Sequence, residues 1–310
     1  MKKIALVAAL AAISASAFAQ SSVTLYGRIN TTVESQKEGN ADRKAVVANN
    51  SSRIGFKGQE DLGGGLKASF NLEHGLNSDT GTQTGNAFWG REAWVQLAGA
   101  FGAVRLGNFT PESYFATADY VSMHNHDTGS SSDALYAFKT YRSSNKIGYF
   151  TPNYNGFSGS ASVSAGEGVA GKEKLYDLAA NYVGGPLHLG AGFSKEGDNK
   201  QFAVRGLYEL GAFTFGGYYQ RADDGAQSRN VYRVSGMYVL GASEFHLNVG
   251  ATQGRGDFAA LGKTTQFTLG YNYNLSKRTK VYGYYTAVDA KAANKVGDFS
   301  SLAAGIRHNF

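Results

Sequence analysis

Phe157-Ser158-Gly159-Ser160-Ala161-Ser162-Val163-Ser164 places a hydroxyl at every second position, with a small or apolar residue between each pair. Successive side chains of an extended strand point to opposite faces, so this segment has one polar surface and one apolar surface. The same period of two runs through Val23-Thr24-Leu25-Tyr26-Gly27-Arg28-Ile29-Asn30. It returns in Leu66, Ala68, Phe70 and Leu72, and in Leu187, Leu189, Ala191 and Phe193. Phe213, Phe215, Gly217 and Tyr219 repeat it, as do Phe245, Leu247 and Val249, and Phe267, Leu269, Tyr271 and Tyr273. These runs last about eight to ten residues, longer than the usual five or six of a soluble sheet and the length a tilted membrane strand requires.

Composition supports strands over helices. The 310 residues include 41 Gly, 19 Phe, 19 Tyr and 2 Trp, and only 3 Pro, while charged residues make up 17% against roughly 25% in ordinary soluble domains. Beyond the first twenty residues no stretch approaches the ~20 consecutive apolar positions of a spanning helix. The absence of cysteine rules out a disulfide scaffold, a cysteine nucleophile and thiolate metal sites. No Gly-rich phosphate loop and no metal cluster of adequate spacing is present, so the sequence predicts no cofactor.

The N-terminus reads as an address. Lys2-Lys3, the apolar run Ile4 to Ile13, and Ala17-Phe18-Ala19 form a signal peptide over residues 1–19, with cleavage before Gln20. Loss of Lys2 and Lys3 lowers the formal net charge of +6 by two. Neither that balance nor any basic cluster points to nucleic acid, from which export removes the chain.

Connections between the strands alternate in length. Long ones are expected at 31–48, 75–88, 109–140, 165–174, 195–200, 221–229, 252–263 and 288–298. Short ones are expected at 61–65, 98–102, 151–156, 184–185, 210–212, 240–243 and 274–279. Fifteen connections imply sixteen strands. Residues 20–310 are thus expected to form one all-β domain, a 16-stranded antiparallel transmembrane β-barrel. A lipid-embedded sheet must close to pair every backbone group, and one of this girth holds water inside. Tyr149-Phe150, Tyr218-Tyr219, Tyr271, Tyr273, Tyr284 and Tyr285 fall near strand ends, where interfacial aromatic girdles belong.

Several motifs are similar to those of one family. They are Ser22-Val23-Thr24-Leu25-Tyr26-Gly27, Ser52-Arg53-Ile54-Gly55-Phe56-Lys57-Gly58, Glu60-Asp61-Leu62-Gly63-Gly64-Gly65-Leu66-Lys67-Ala68, Tyr141-Arg142-Ser143-Ser144-Asn145 and Arg307-His308-Asn309-Phe310. The chain resembles, from Ser22 to Phe310, the Gram-negative general porins of beta-proteobacterial type. The sequence departs from that pattern at Asn30, Gln96 and Gly107-Asn108. The resemblance implies a homotrimer among outer-membrane lipid and lipopolysaccharide, each barrel holding its own water-filled pore. It implies that the longest connection folds inward as a constriction loop. It also implies that Phe310 is read by the outer-membrane assembly machinery.

The connection 109–140 carries Glu112, Asp119, Asp127 and Asp133. Folded inward, it presents these acids to the lumen; as an outer loop it leaves them solvated. Strand parity turns Arg28, Arg53, Lys57, Lys67, Arg105, Arg142, Lys146, Arg205, Arg233 and Arg307 to the polar face. Glu73, Asp177, Glu209 and Glu244 share it. Arg91-Glu92-Ala93-Trp94 permits either parity, and the resemblance favours Arg91 inward. A basic wall opposite acidic loop residues predicts passive diffusion of ions and small hydrophilic solutes with mild anion preference. The alternative for these charges is pairing at the rims.

Two other functions fit the residues less well. Arg28, Arg53 and Arg142 could form a track selecting phosphate or organic anions. His124-Asn125-His126-Asp127 is the one His-dense patch, and His126 with Asp127 would serve a barrel hydrolase.

Overall fold

The computed structural model describes residues 22–123, 135, 136, 140, 143–168, 173–254, 263–290 and 297–310. Arg142, Asp127, Asp133, His124, His126 and the signal segment 1–19 lie outside the described residues.

The chain opens with β1 (Ser22–Glu38), β2 (Lys44–Asn49), β3 (Arg53–Gly63), β4 (Leu66–Gly75), β5 (Glu92–Gly99) and β6 (Gly102–Asn108). After the longest connection come β7 (Lys146–Phe150), β8 (Phe157–Ser164), β9 (Leu175–Gly184), β10 (Leu187–Glu196), β11 (Asn199–Leu210) and β12 (Phe213–Asp223). The wall is completed by β13 (Ser228–Leu240), β14 (Ser243–Gly254), β15 (Thr264–Asn274), β16 (Thr279–Asp289) and β17 (Phe299–Asn309). Each pairs antiparallel with its sequence neighbour, and β1 pairs β17 from Arg28↔Asn309 to Glu38↔Phe299, so the sheet closes on itself.

Seventeen segments make sixteen wall strands, because β2 and β3 pair in succession along the same edge of β1. The break between them is satisfied locally. Ser51 takes φ +56°, the Ser52 N–H donates to Asn49 Oδ1 at 3.1 Å, and the Asn30 N–H donates to Ser52 Oγ at 3.0 Å.

Seven tight connections share one rim. At the first of them Gly63, Gly64 and Gly65 all have φ between +60° and +83°, a region closed to most side chains. At the other rim three expected long connections shrink. Residues 31–38 and 44–48 continue as strand, and the turns after β10 and β12 reduce to Gly197–Asp198 and Asp224–Gln227. The ladder there runs past the apolar zone, so the outward positions turn polar and the two-residue hydrophobic signal stops before the hydrogen bonds do.

Parity sorts the rest. Val23, Leu25, Ile29, Val33, Leu189, Phe193, Val234, Leu247 and Leu302 are exposed on the outer face, while Asn30, Thr32, Glu34, Gln220, Gln266, Thr268 and Ser301 are buried on the inner one. Tyr149, Tyr271, Tyr273 and Tyr285 face outward as expected of a girdle. Tyr218 and Tyr284 instead point inward and are buried, because adjacent strand residues cannot share a face.

Candidate channel constriction

The connection after β6 turns into the barrel. It forms a single helical turn, α1 (Glu112–Tyr114), that runs into a π-helical turn over Phe115–Asp119. Both pack on the inner face of β9 and β10, and the π-turn also reaches β11 and β12.

Missing side chains on the wall make room for this. A Cβ on Gly190 would lie 2.2 Å from the Ala116 carbonyl oxygen, and one on Gly192 would lie 2.6 Å from that of Ser113. Glycine in a strand interior permits such close backbone approach. Polar contacts then fix the position. The Ser113 N–H donates to Asp177 Oδ1 at 3.1 Å and its hydroxyl to Oδ2. Arg205 donates from Nε to the Ala116 carbonyl at 3.0 Å and from Nη2 to Asn181 at 2.7 Å, and its guanidinium lies 3.6 Å from the Tyr120 ring centre. Tyr114, Ala118, Val121, Leu135 and Tyr136 bury apolar surface against Ala203, Leu207, Tyr218 and Val231 of the wall. The interior is therefore not uniformly polar: it is apolar where the loop docks.

At the root of the loop, Arg105 lies 4.2 Å from the Trp94 ring centre and 4.4 Å from that of Phe150. Its Nε donates to Gln96 at 3.0 Å, and its Nη1 stands 3.8 Å from Glu112. Lys146 Nζ donates to the Phe109 carbonyl at 3.0 Å. Burial, the largest influence, raises the Glu112 carboxyl to about 7, with Arg105 and Lys146 opposing and Asp177 and Glu92 reinforcing. Arg105 and Lys146 thus stand beside the loop, on β6 and β7, rather than across from it. Asp119 is partly exposed at the end of the π-turn. Of the departures from the family pattern, Gln96 accepts from Arg105, and Asn108 donates to the Trp89 carbonyl at 3.2 Å.

Half-way round a sixteen-strand ring from β1 lies β10, so the wall facing the docked loop is built from β17, β1 and β3. Arg28 is buried there and pairs across the ladder with Arg53. Arg53 Nε is 3.8 Å and Arg91 Nε 2.6 Å from the Glu73 carboxylate, which also accepts the Tyr26 hydroxyl at 2.9 Å. Lys57 Nζ sits 5.0 Å over the Tyr26 ring. Arg307 lies opposite Asn30 on one side and Lys280 on the other. Arg233, farther round, donates to Asn248 at 2.8 Å and Gln266 at 2.6 Å.

Among the described residues, the inward charges that escaped sequence reading include Glu34, Glu92, Arg229 and Lys280. Glu34 is buried and accepts from Thr32, Gln36, Tyr284 and Ser301 at 2.6 to 2.9 Å. Its place in line with Arg28, Asn30 and Thr32 carried the signal, hidden by assigning 31–48 to a loop. At the seam, the Gly27 N–H donates to the Phe310 carbonyl and the Phe310 N–H to the Gly27 carbonyl, each at 3.1 Å.

Residues 5–293 match the Gram-negative porin family. The chain belongs to that family. It is 32% identical to outer membrane porin protein 32 of Delftia acidovorans, over 96% of this chain and 92% of that protein. An anion-selective porin from Comamonas acidovorans has a similar structure, with a TM-score of 0.78 and 28% identity over 94% of this chain and all of that one. OmpT of Vibrio cholerae, in its trimer form, shares the fold alone, with a TM-score of 0.72 and 17% identity over 94% of this chain and 99% of that one. This porin is an outer-membrane protein whose barrel forms a water-filled channel for ions and small hydrophilic solutes.

Proposed function

We propose that this porin is a general diffusion pore with mild anion preference, narrowed by the inward connection. The carrying observation is the position of Arg28, Arg53, Arg91 and Arg307 across the lumen from that connection. Fixed charges of one sign on a wet wall bias local ion concentration without binding any solute tightly. The Comamonas relative's anion selectivity, at 28% identity, agrees with that sign.

The protomer assembles as a homotrimer, in keeping with the trimeric OmpT of the same fold. Residues 1–19 direct export and are removed, and residues 20–310 form the barrel. Phe310, whose backbone closes the seam and which is 39% exposed, serves as the assembly signal. Lys57 belongs to the basic wall, and Glu112 and Asp119 to the acidic loop.

The test is the reversal potential in a planar bilayer under a salt gradient. An anion-directed potential is expected, and a cation-directed one would overturn the preference. Conductance that saturates with a single organic anion would favour a solute-specific channel.

A further inference from the structure

The basic wall continues past Arg307 toward the short-turn mouth. Lys280, the second residue of β16, stands directly opposite Arg307 on the β16–β17 ladder, as Arg28 on β1 stands opposite Arg53 on β3. Arg307 also pairs with Asn30, the next inward position on β1 after Arg28. Two like-charge pairs thus sit side by side on four neighbouring strands. Such pairs repel across a ladder and cost stability, and their side chains share the wall of the channel rather than a packed core.

Glu244, the second residue of β14, ties down the Lys280 end. Lys280 Nζ donates to its carboxylate at 3.2 Å, Asn272 Nδ2 at 2.7 Å and Asn274 Nδ2 at 2.6 Å. The other N–H of Asn272 donates to His246 Nε2 at 3.1 Å, so that nitrogen accepts and the buried imidazole adds no charge. The ring stands 3.4 Å from the carboxylate as a neutral neighbour. Glu244 and Lys280 therefore form an ion pair whose side chains are 18% and 16% exposed, partly wet on the inner face of the wall.

At 3.2 Å the two charges cancel when felt from a distance. A passing ion meets a dipole there rather than a cation, and the net positive wall ends at Arg307. Either charge alone would reach the ion. One unit charge about 8 Å away in water is worth roughly a twofold change in local ion occupancy.

We propose that Glu244 and Lys280 are further selectivity-determining residues of this pore. They form a balanced pair at the short-turn mouth, in which Glu244 cancels Lys280 and so keeps the anion preference mild. The inference rests on the proposed anion-preferring wall for its starting value. Without Glu244 the cationic wall gains a strand, β16. Without Lys280 a carboxylate is left beside Arg307, on the anions' route.

Reversal potentials of the folded protein in a planar bilayer, under a potassium chloride gradient at pH 8, test it. Glu244→Gln should raise the anion-to-cation permeability ratio about twofold, and Lys280→Gln should lower it about twofold. The double variant should return to the wild-type ratio. Lys280→Arg keeps the charge and should keep the ratio. A ratio that does not rise with Glu244→Gln, does not fall with Lys280→Gln, or does not return in the double variant would overturn the pairing. So would a Lys280→Arg ratio as low as that of Lys280→Gln. Should one glutamine variant fail to insert, the sign of the other's shift decides alone. A cation-directed wild-type potential would overturn the anion preference, whereas the opposed shifts test the pair whatever the wild-type sign, so the two failures are distinguishable.

Discussion

The Ser113 backbone N–H and hydroxyl both donate to the Asp177 carboxylate, the former at 3.1 Å, which ties the first turn of the inward connection to β9. Both partners are buried. Removing a buried acceptor leaves its donors unsatisfied at about 1 to 3 kcal/mol. Asp177→Ala should therefore loosen the loop, and single-channel records should show larger, noisier openings. A trace matching the wild type would place the loop's anchorage elsewhere.

Gly192 makes a second, steric prediction. Gly192→Val puts a side chain where the Ser113 backbone sits and should displace the connection, altering conductance without unfolding the barrel. Gly206→Ala is the control, since a Cβ there meets only Leu189, at 4.0 Å. Conductance that responds equally to both substitutions contradicts this account.

Acidity should tune selectivity. The Glu112 carboxyl, raised to about 7 by burial, is neutral below that pH and ionised above it. Lowering the pH from 8 to 6 removes negative charge beside the pore, so anion preference should increase, and Glu112→Gln should flatten that response. The stability sign also follows. A raised native value means the folded state holds its proton more tightly, so Glu112's contribution is fully present below the ordinary 4.5 and is lost as pH rises through about 7. Melting curves of wild type and Glu112→Gln should converge in acid and separate at pH 8.

Neutralising the wall should act in the opposite direction. One unit charge about 4 Å from an ion in water-like surroundings is worth about 1 kcal/mol, roughly fivefold in local occupancy. Arg53→Gln combined with Arg91→Gln should therefore lower the anion-to-cation permeability ratio several-fold. An unchanged reversal potential would remove these residues from the selectivity wall.

Strand parity made much of the barrel legible, because a period of two needs only a few apolar residues to declare itself. Ser158 to Ser164 on β8 and Leu187 to Phe193 on β10 declare it fully. Residues 31–36 did not, since Val33 is the only apolar residue in Thr31-Thr32-Val33-Glu34-Ser35-Gln36. Their ladder continues because both faces there meet polar partners. Which way Arg105 and Lys146 point was readable; what they hold was not. That depends on Gly190, Gly192 and Asp177 coming under a loop more than fifty residues earlier in the chain, a relation that no local pattern encodes.

The central claim is a closed wall around water, and its most direct measurement is single-channel recording in a planar bilayer across a range of potassium chloride concentrations. Discrete steps whose conductance grows in proportion to salt are predicted. A folded protein that inserts without steps, or whose conductance levels off at low salt, would contradict it.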